Sequence, residues 1–227
     1  MTARSEAGPR RLPVRQKSSS VVVDYVLEEL FAGRLRSGDR IDLDDIGAAL
    51  EVSRIPVREA LVILERDGVV STRYHRGVYV EPFDAQSILD DFEIFGLLSG
   101  VAVRRLAERH DASTVADLQK RVDELRALPP GDRDGVIRVV REILILEHRA
   151  GGSRRLRAEL KAFTGFLPAA FQVESTRSHR ATVQAHARVV RAIATGDGER
   201  AASHRLEDFR SAGRGVVREL RRRRVIQ

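Results

Sequence analysis

Residues 52–64 read VSRIPVREALVIL, and their spacing decides the fold of the N-terminal part of this chain. Val57, Ala60, Leu61 and Leu64 recur at helical intervals, so they make one apolar stripe. Ser53 is a natural N-cap whose hydroxyl can hold the free N–H groups of the first turn. Pro56 falls inside that turn, where its missing N–H costs nothing. Arg54 and Arg58 share a different face, toward the leading end of the helix. A short helix with an apolar back and two forked cations in front suits a DNA major groove. Arginine there reaches phosphates or pairs bidentately with guanine O6 and N7. Two exposed arginines are also what ordinary solvated charge looks like, and the surroundings decide between these readings.

Upstream, Val22, Val23, Val26, Leu27, Leu30 and Phe31 mark a helix that stops at Gly33. A short second helix is expected over 44–50, capped by Asp42. Downstream, Gly68 closes the helix that carries the two arginines. Residues 69–73 and 78–81 read as strands around the turn Tyr74-His75-Arg76-Gly77, where Gly77 takes a positive φ. Three helices and a small β-hairpin predict a winged helix-turn-helix.

At 227 residues the chain is long enough for two modest domains with their own cores. Cysteine is absent, so no disulfide or thiolate metal site exists, in keeping with a reducing cytoplasm. No apolar run reaches bilayer length and no signal-like segment follows the start, so a soluble cytoplasmic protein without a membrane partner is expected. The net charge of +7 is unevenly spread: residues 1–82 carry 13 Arg plus Lys against 13 Asp plus Glu, and residues 83–227 carry 27 against 20. DNA binding must therefore rest on where charge sits. Acidic residues gather on the first two helices and at Asp42, Asp44 and Asp45, while Arg54, Arg58, Arg73 and Arg76 gather on the recognition helix and wing.

Residues 1–17 form a basic, Pro- and Gly-containing arm expected to be disordered, and the winged domain is expected over 18–82. Residues 83–227 show no strand pattern, and Asp84 can cap the first of their helices with almost no linker, which predicts mechanically coupled domains. Ile88, Leu89, Phe92, Phe95, Leu98, Val101, Ala102 and Leu106 carry a long amphipathic helix. Val115, Leu118, Val122 and Leu125 carry the next, stopped by Pro129-Pro130-Gly131. Residues 136–146 are apolar on more than one side, which predicts a central helix. Leu156, Leu160, Phe163 and Leu167 follow up to Pro168, then 183–193, a stop at Gly196-Asp197-Gly198, and a last helix from Glu199. The fold is mainly α, with a C-terminal all-α bundle of six or seven helices. There is no cysteine nucleophile, Gly-x-Ser-x-Gly elbow, Walker-type loop or Gly-x-Gly-x-x-Gly, so no catalytic residue is expected.

The stretch VSRIPVREALVILERDGVV, followed by RGVYV and preceded by GRLRSGDRI, resembles the signature of GntR-type bacterial transcription regulators over residues 21–82. The resemblance implies that Ser53, Arg54 and Arg58 meet a double-stranded operator, with Arg76 and Gly77 at the wing tip near the minor groove. Ile55 stands where the family commonly has threonine, so one phosphate contact is expected to be missing. The helical part resembles the FCD domain of the FadR branch on Ala150-Gly151-Gly152-Ser153-Arg154-Arg155-Leu156, His186, Ala192-Ile193 and Gly196-Asp197.

That resemblance implies a dimerising bundle that holds a small, often carboxylate-bearing effector, in many members beside a divalent metal bound by an Asp and three His. Here the Asp and first His positions fall on Val140 and Leu144, and the last His on Asp208. The arginine expected on the first bundle helix aligns with Phe95, so the family's metal–carboxylate pocket is not expected. Several readings stay open. His148, His186 and His204, with Asp208, could form a site displaced by one turn, or be ordinary surface and core histidines. Phe92, Phe95 and Leu144 could line a pocket for an apolar effector, or effector binding could be lost. The expected function is a sequence-specific, homodimeric DNA-binding regulator on a palindromic operator, modulated by a small molecule in the bundle. The alternative is a regulator or architectural protein with a degenerate pocket that answers to no ligand.

Overall fold

A computed structural model describes residues 18–74, 76–82, 84–163 and 178–226. Expectations placed on residues 1–17, His75, Phe83, Leu167 and Pro168 lie outside them. The N-terminal head runs α1 (Ser18–Phe31), β1 (Arg40–Ile41), α2 (Leu43–Ala49), α3 (Arg54–Arg66), β2 (Val70–Arg73) and β3 (Gly77–Val80). Val22, Val23, Val26, Leu27, Leu30 and Phe31 are all buried on α1, facing the buried Val57, Ala60, Leu61 and Leu64 of α3. The Asp42 carboxylate caps α2 by accepting from the Asp44 and Asp45 amides at 2.9 and 3.3 Å. Ser53 has the extended backbone of an N-cap, yet its hydroxyl makes no capping hydrogen bond, contrary to expectation.

The wing holds three strands where two were expected, in the order β1-β3-β2 and antiparallel throughout. Arg40 and Ile41 pair with Tyr79 and Val78, a bridge too short to leave a periodic trace in sequence. Gly77 turns the hairpin at φ +102°, in the region that side chains avoid. Glu65 of α3 clamps the wing by accepting from the Thr72 amide at 2.8 Å and its hydroxyl at 3.2 Å.

The bundle follows as α4 (Ala85–Arg109), α5 (Ala112–Ala127), α6 (Arg133–Gly151), α7 (Arg154–Ala162), α8 (His179–Ala194) and α9 (Gly198–Arg222). Asp84 starts α4 through a capping box with Ser87, accepting the Ser87 amide at 2.8 Å. The expectation that α6 is central is corrected. Its fully buried row is a single stripe, Gly135, Val139, Ile143, Glu147 and Gly151, while Ile145 stays 48% exposed. The helix packs on α4 and α5 by that row, while Val136, Val140, Leu144 and Leu146 lie part-buried at the edges of the core.

Helices α4 and α9 form the spine. A Cβ on Gly96 would come within 3.1 Å of Leu206 and Phe209, and one on Gly213 within 2.9 Å of Phe92, so the two helices approach closely through their glycines. Two apolar clusters result. The distal one joins α4, α5, α6, α8 and the start of α9. The proximal one runs without a break from α1, α3 and the wing into Ile88, Phe92, Phe95, Phe209, Val216 and Leu220 of α4 and α9. Beyond α9, Ile226 is buried in this cluster, and Val225 lies 3.2 Å from where a Cβ on Gly33 would stand. Head and bundle thus share one core. The arginine run at the end of α9 is partly structural, since Arg222 and Arg223 both donate to the buried Glu219. Hydrogen bonds from Arg222 first, then Arg223, hold that carboxyl down at about 2.

An acidic joint lies where the domains meet. Burial pushes the Asp91 carboxyl of α4 from its ordinary 3.8 up to about 6, with Asp90 and with Asp67, at the end of α3, adding to the rise. Burial also raises Asp67, against its contacts with Arg66. A carboxyl raised in the fold favours folding while protonated. That contribution is complete below pH 3.8 and disappears as pH rises through about 6. Asp91→Asn should therefore melt higher than the parent at pH 7.5 and equal to it near pH 4, as thermal unfolding at the two pH values would show. A separate test concerns Gly151, whose added Cβ would collide with the Ala102 carbonyl on α4. Gly151→Ala should cost about 1–3 kcal/mol of urea stability by overpacking.

Candidate nucleic-acid interface and bundle centre

The exposed face of α3 begins at Ser53 and carries Arg54, Ile55 and Arg58. Arg54 does not stand alone. Its Nε and Nη2 donate to the two carboxylate oxygens of Asp44 on α2, each at 2.8 Å. Both side chains remain mostly exposed, at 71% and 65%, so the pair is solvated and exchangeable. Arg58 is exposed with no ion pair among the described residues. Ile55 is 70% exposed beside Arg54, an apolar surface of the kind that can meet a thymine methyl. On the wing, the Arg73 guanidinium lies 4.5 Å over the Tyr79 ring, and the Tyr79 hydroxyl donates to the Arg76 carbonyl at 3.1 Å. Arg76 itself is exposed, and Gly77 sits against Arg40, whose Nε would be 3.1 Å from an added Cβ. Arg40 carries no signal of this in the sequence, because only the third strand brings it to the wing.

The bundle has a polar centre that the histidine spacing did not reveal. Arg205 of α9 and Glu147 of α6 are completely buried, and His186 of α8 and Asp208 of α9 nearly so. Arg205 Nη2 donates to Glu147 Oε1 at 2.5 Å, and Nη1 donates to Asp208 Oδ2 at 2.8 Å. The same Nη1 lies 3.3 Å from His186 Nδ1. Burial works against the Arg205 charge, but Glu147 and Asp208 outweigh it and raise its pKa further. Burial pushes Glu147 up against the pull of Arg205, as expected where two carboxylates share one guanidinium. Arg205 Nε and Glu147 Oε2 have no hydrogen-bond partner among the described residues.

Next to this centre, His148 Nε2 lies 3.0 Å from the Ser99 hydroxyl of α4. Burial, then the Arg205 charge, lowers His148 to about 4, so it is neutral at physiological pH. Phe95 places its ring edge-on to His148, Phe163 and Phe209, at centroid distances of 5.5, 5.6 and 4.8 Å. The structure thus brings together Phe95, His148, His186 and Asp208 among the expected pocket residues. Phe92 packs into the α4–α9 contact and Leu144 against the rim of the proximal cluster. His204 stands apart, only partly buried, its pKa lowered by burial and then by Arg188 and Arg200.

The displaced site of His148, His186 and His204 is therefore not formed. Among the described residues no group of three or more His, Asp or Glu side chains is placed to hold a metal. Nor does the divalent metal of related bundles fit here. Glu147, His186 and Asp208 do converge, but a guanidinium fills the space between them at hydrogen-bond distances of 2.5–3.3 Å. Zinc needs such donors at about 2.0–2.2 Å and cannot share that volume. The missed residues had a sequence signal. Glu147 continues the row Val139, Ile143 at four-residue spacing, and Arg205 and Asp208 interrupt the row Ala201, Phe209, Ala212. Charged residues inside an otherwise apolar stripe mark a buried ion pair.

Comparison with known proteins agrees with both halves of the chain. The family described as bacterial regulatory proteins, gntR family, matches residues 18–80, and the FCD domain matches residues 90–209. An HTH-type transcriptional regulator of Mycobacterium tuberculosis is 45% identical over 118 residues, 52% of this chain and 48% of that protein. The match thus spans about half the length of that relative. The HTH-type transcriptional regulator YdhC of Bacillus subtilis is 25% identical over 184 residues, 79% of this chain and 82% of that one. The solved structure of E. coli McbR/YncC shares the fold, with a TM-score of 0.63 at 19% identity over 86% of this chain and 94% of that chain. With its winged head and a helical domain that matches over more than half its length, this chain belongs to the GntR family of bacterial regulatory proteins and carries an FCD domain.

Proposed function

We propose that the chain is a sequence-specific DNA-binding transcription regulator that works as a homodimer on a palindromic operator. The observation that carries this reading is the α3 face, where Arg54, Ile55 and Arg58 project from a helix whose opposite side is fully buried. Residues Ser53, Arg54 and Arg58 would enter the major groove, and Arg76 with Gly77 would approach the minor groove from the wing. Dimerisation is supported by half-exposed apolar side chains on the bundle, Ile94 and Leu97 on α4 and Ile145 on α6.

Operator affinity is set, in this reading, by a small molecule bound near the bundle centre. Support comes from α9, which carries Arg205 in its first third and leads to Ile226 inside the core shared with the head. A ligand that prefers one arrangement of that helix shifts the spacing of the two heads by its difference in affinity. The unpartnered Arg205 Nε and Glu147 Oε2 are polar atoms such a ligand could satisfy. A regulator that answers to no ligand is the second reading, favoured by the ion pairs that already fill the centre.

Two substitutions test the DNA contacts. With an operator selected from random duplexes, Arg58→Ala should weaken binding by about 1–3 kcal/mol and relax one base position. An equal loss on operator and random DNA would instead make Arg58 a phosphate contact. Asp44→Ala releases Arg54 and removes a negative charge from the approach to DNA. It should tighten binding to random duplex and steepen log K against log salt by about one unit. An unchanged slope would mean that Arg54 does not approach the backbone.

A further inference from the structure

We propose that Arg205 is the resident cation of this bundle, its guanidinium standing permanently where a dissociable metal ion would otherwise join the helices through Glu147, His186 and Asp208. Three helices deliver two carboxylates and an imidazole to one buried point. Such a donor set suits borderline divalent metals, and its charge demands a cation, because carboxylates in a dry core are stable only when paired. Arg205 supplies that cation from within the chain. It also ties together the same three helices. One nitrogen reaches across to α6, and another serves both Asp208 on its own helix and the imidazole of α8.

The consequences differ from those of a bound metal. A guanidinium is covalently held and is not deprotonated in proteins. The centre is therefore loaded in every molecule, whatever the supply of divalent ions and whatever the pH within the folded range. It is not fully closed, however. Only one leg of the Arg205–Glu147 fork is made, and Nε on one side and Oε2 on the other are left unpartnered. Removing the Arg205 side chain would leave a cavity with Glu147, His186 and Asp208 around it, which is a latent metal site.

The proposal concerns the bundle alone, so it stands or falls independently of operator binding. The experiment compares the untagged full chain with Arg205→Ala, using elemental analysis and thermal melting, with and without chelator, zinc, nickel and methylguanidine. The parent should carry no stoichiometric divalent ion, and its Tm should ignore both chelator and added metal. Arg205→Ala should melt lower, take up one zinc or nickel per chain, and regain Tm on metal or on millimolar methylguanidine. Adding His186→Ala to that background should abolish the metal response and spare much of the methylguanidine response. If Arg205→Ala is unfolded alone, refolding by zinc or methylguanidine is the expected result, and failure of both overturns the proposal. So would a parent protein holding one divalent ion per chain whose removal lowers its Tm.

Discussion

A completely buried guanidinium constrains this structure more than any other single group. Moving an ion from water into a protein core costs several kcal/mol even after relaxation, and only close, well-directed partners offset that. Arg205 meets the requirement with Glu147 across a helix gap and Asp208 three residues along its own helix. Because Asp208 shares the helix, it orients the guanidinium, whereas Glu147 ties α9 to α6. Stranding either charge by a shift of one helix would cost about 3–5 kcal/mol, a large part of a domain's net stability. The relative placement of α6, α8 and α9 is thus held by electrostatics where an apolar core would tolerate sliding.

The spine then carries that placement to the head. Glycines 96 and 213 let α4 and α9 approach so closely that neither can rotate without moving Phe92 and Phe209. Those rings belong to the same cluster as Val26 and Leu30 of α1 and Leu64 of α3. A cluster without a gap between domains differs from the polar, easily parted interfaces that allow free hinge motion. Movement of the head must repack shared apolar side chains, which favours a few discrete arrangements over a continuum. The acidic joint of Asp67 and Asp91 makes the observed arrangement less favourable than it would be with one proton added.

Much of this was legible in the residues. The stripe Val57, Ala60, Leu61, Leu64 is buried as its period requires, and Asp42 and Asp84 cap the helices they precede. What failed to show was tertiary in origin. The β1 bridge is two residues long, and Ser53 has cap geometry without the cap bond. The Arg54–Asp44 pair joins residues on different helices. The bundle centre is hidden for another reason: histidine is the usual metal ligand and His148 stands one turn from the expected position, while the charged residue buried on α6 is Glu147, one position earlier. A helix turns about 100° per residue, so that single step separates the row facing the core from its flank. His148, on the flank, meets the Ser99 hydroxyl and the Phe95 ring instead of the ion pair.

Two arginines in this chain make nearly the same contact and illustrate why burial, not pairing, decides what a contact is for. Arg54 holds Asp44 with both legs of its fork at 2.8 Å, geometrically the better pair. Arg205 reaches Glu147 with one nitrogen. Yet an exposed pair is worth about 0–1 kcal/mol, since water and salt compete for both partners. A phosphate array, with its released counterions, can displace Asp44 at little cost. The buried pair has no competing solvent, and breaking it leaves a charge with nowhere to go. Electrostatics therefore divides the labour within one sequence. At the head, the Arg54–Asp44 pair is loose enough to be exchanged for another anion. In the bundle, one is tight enough to stand as part of the fold.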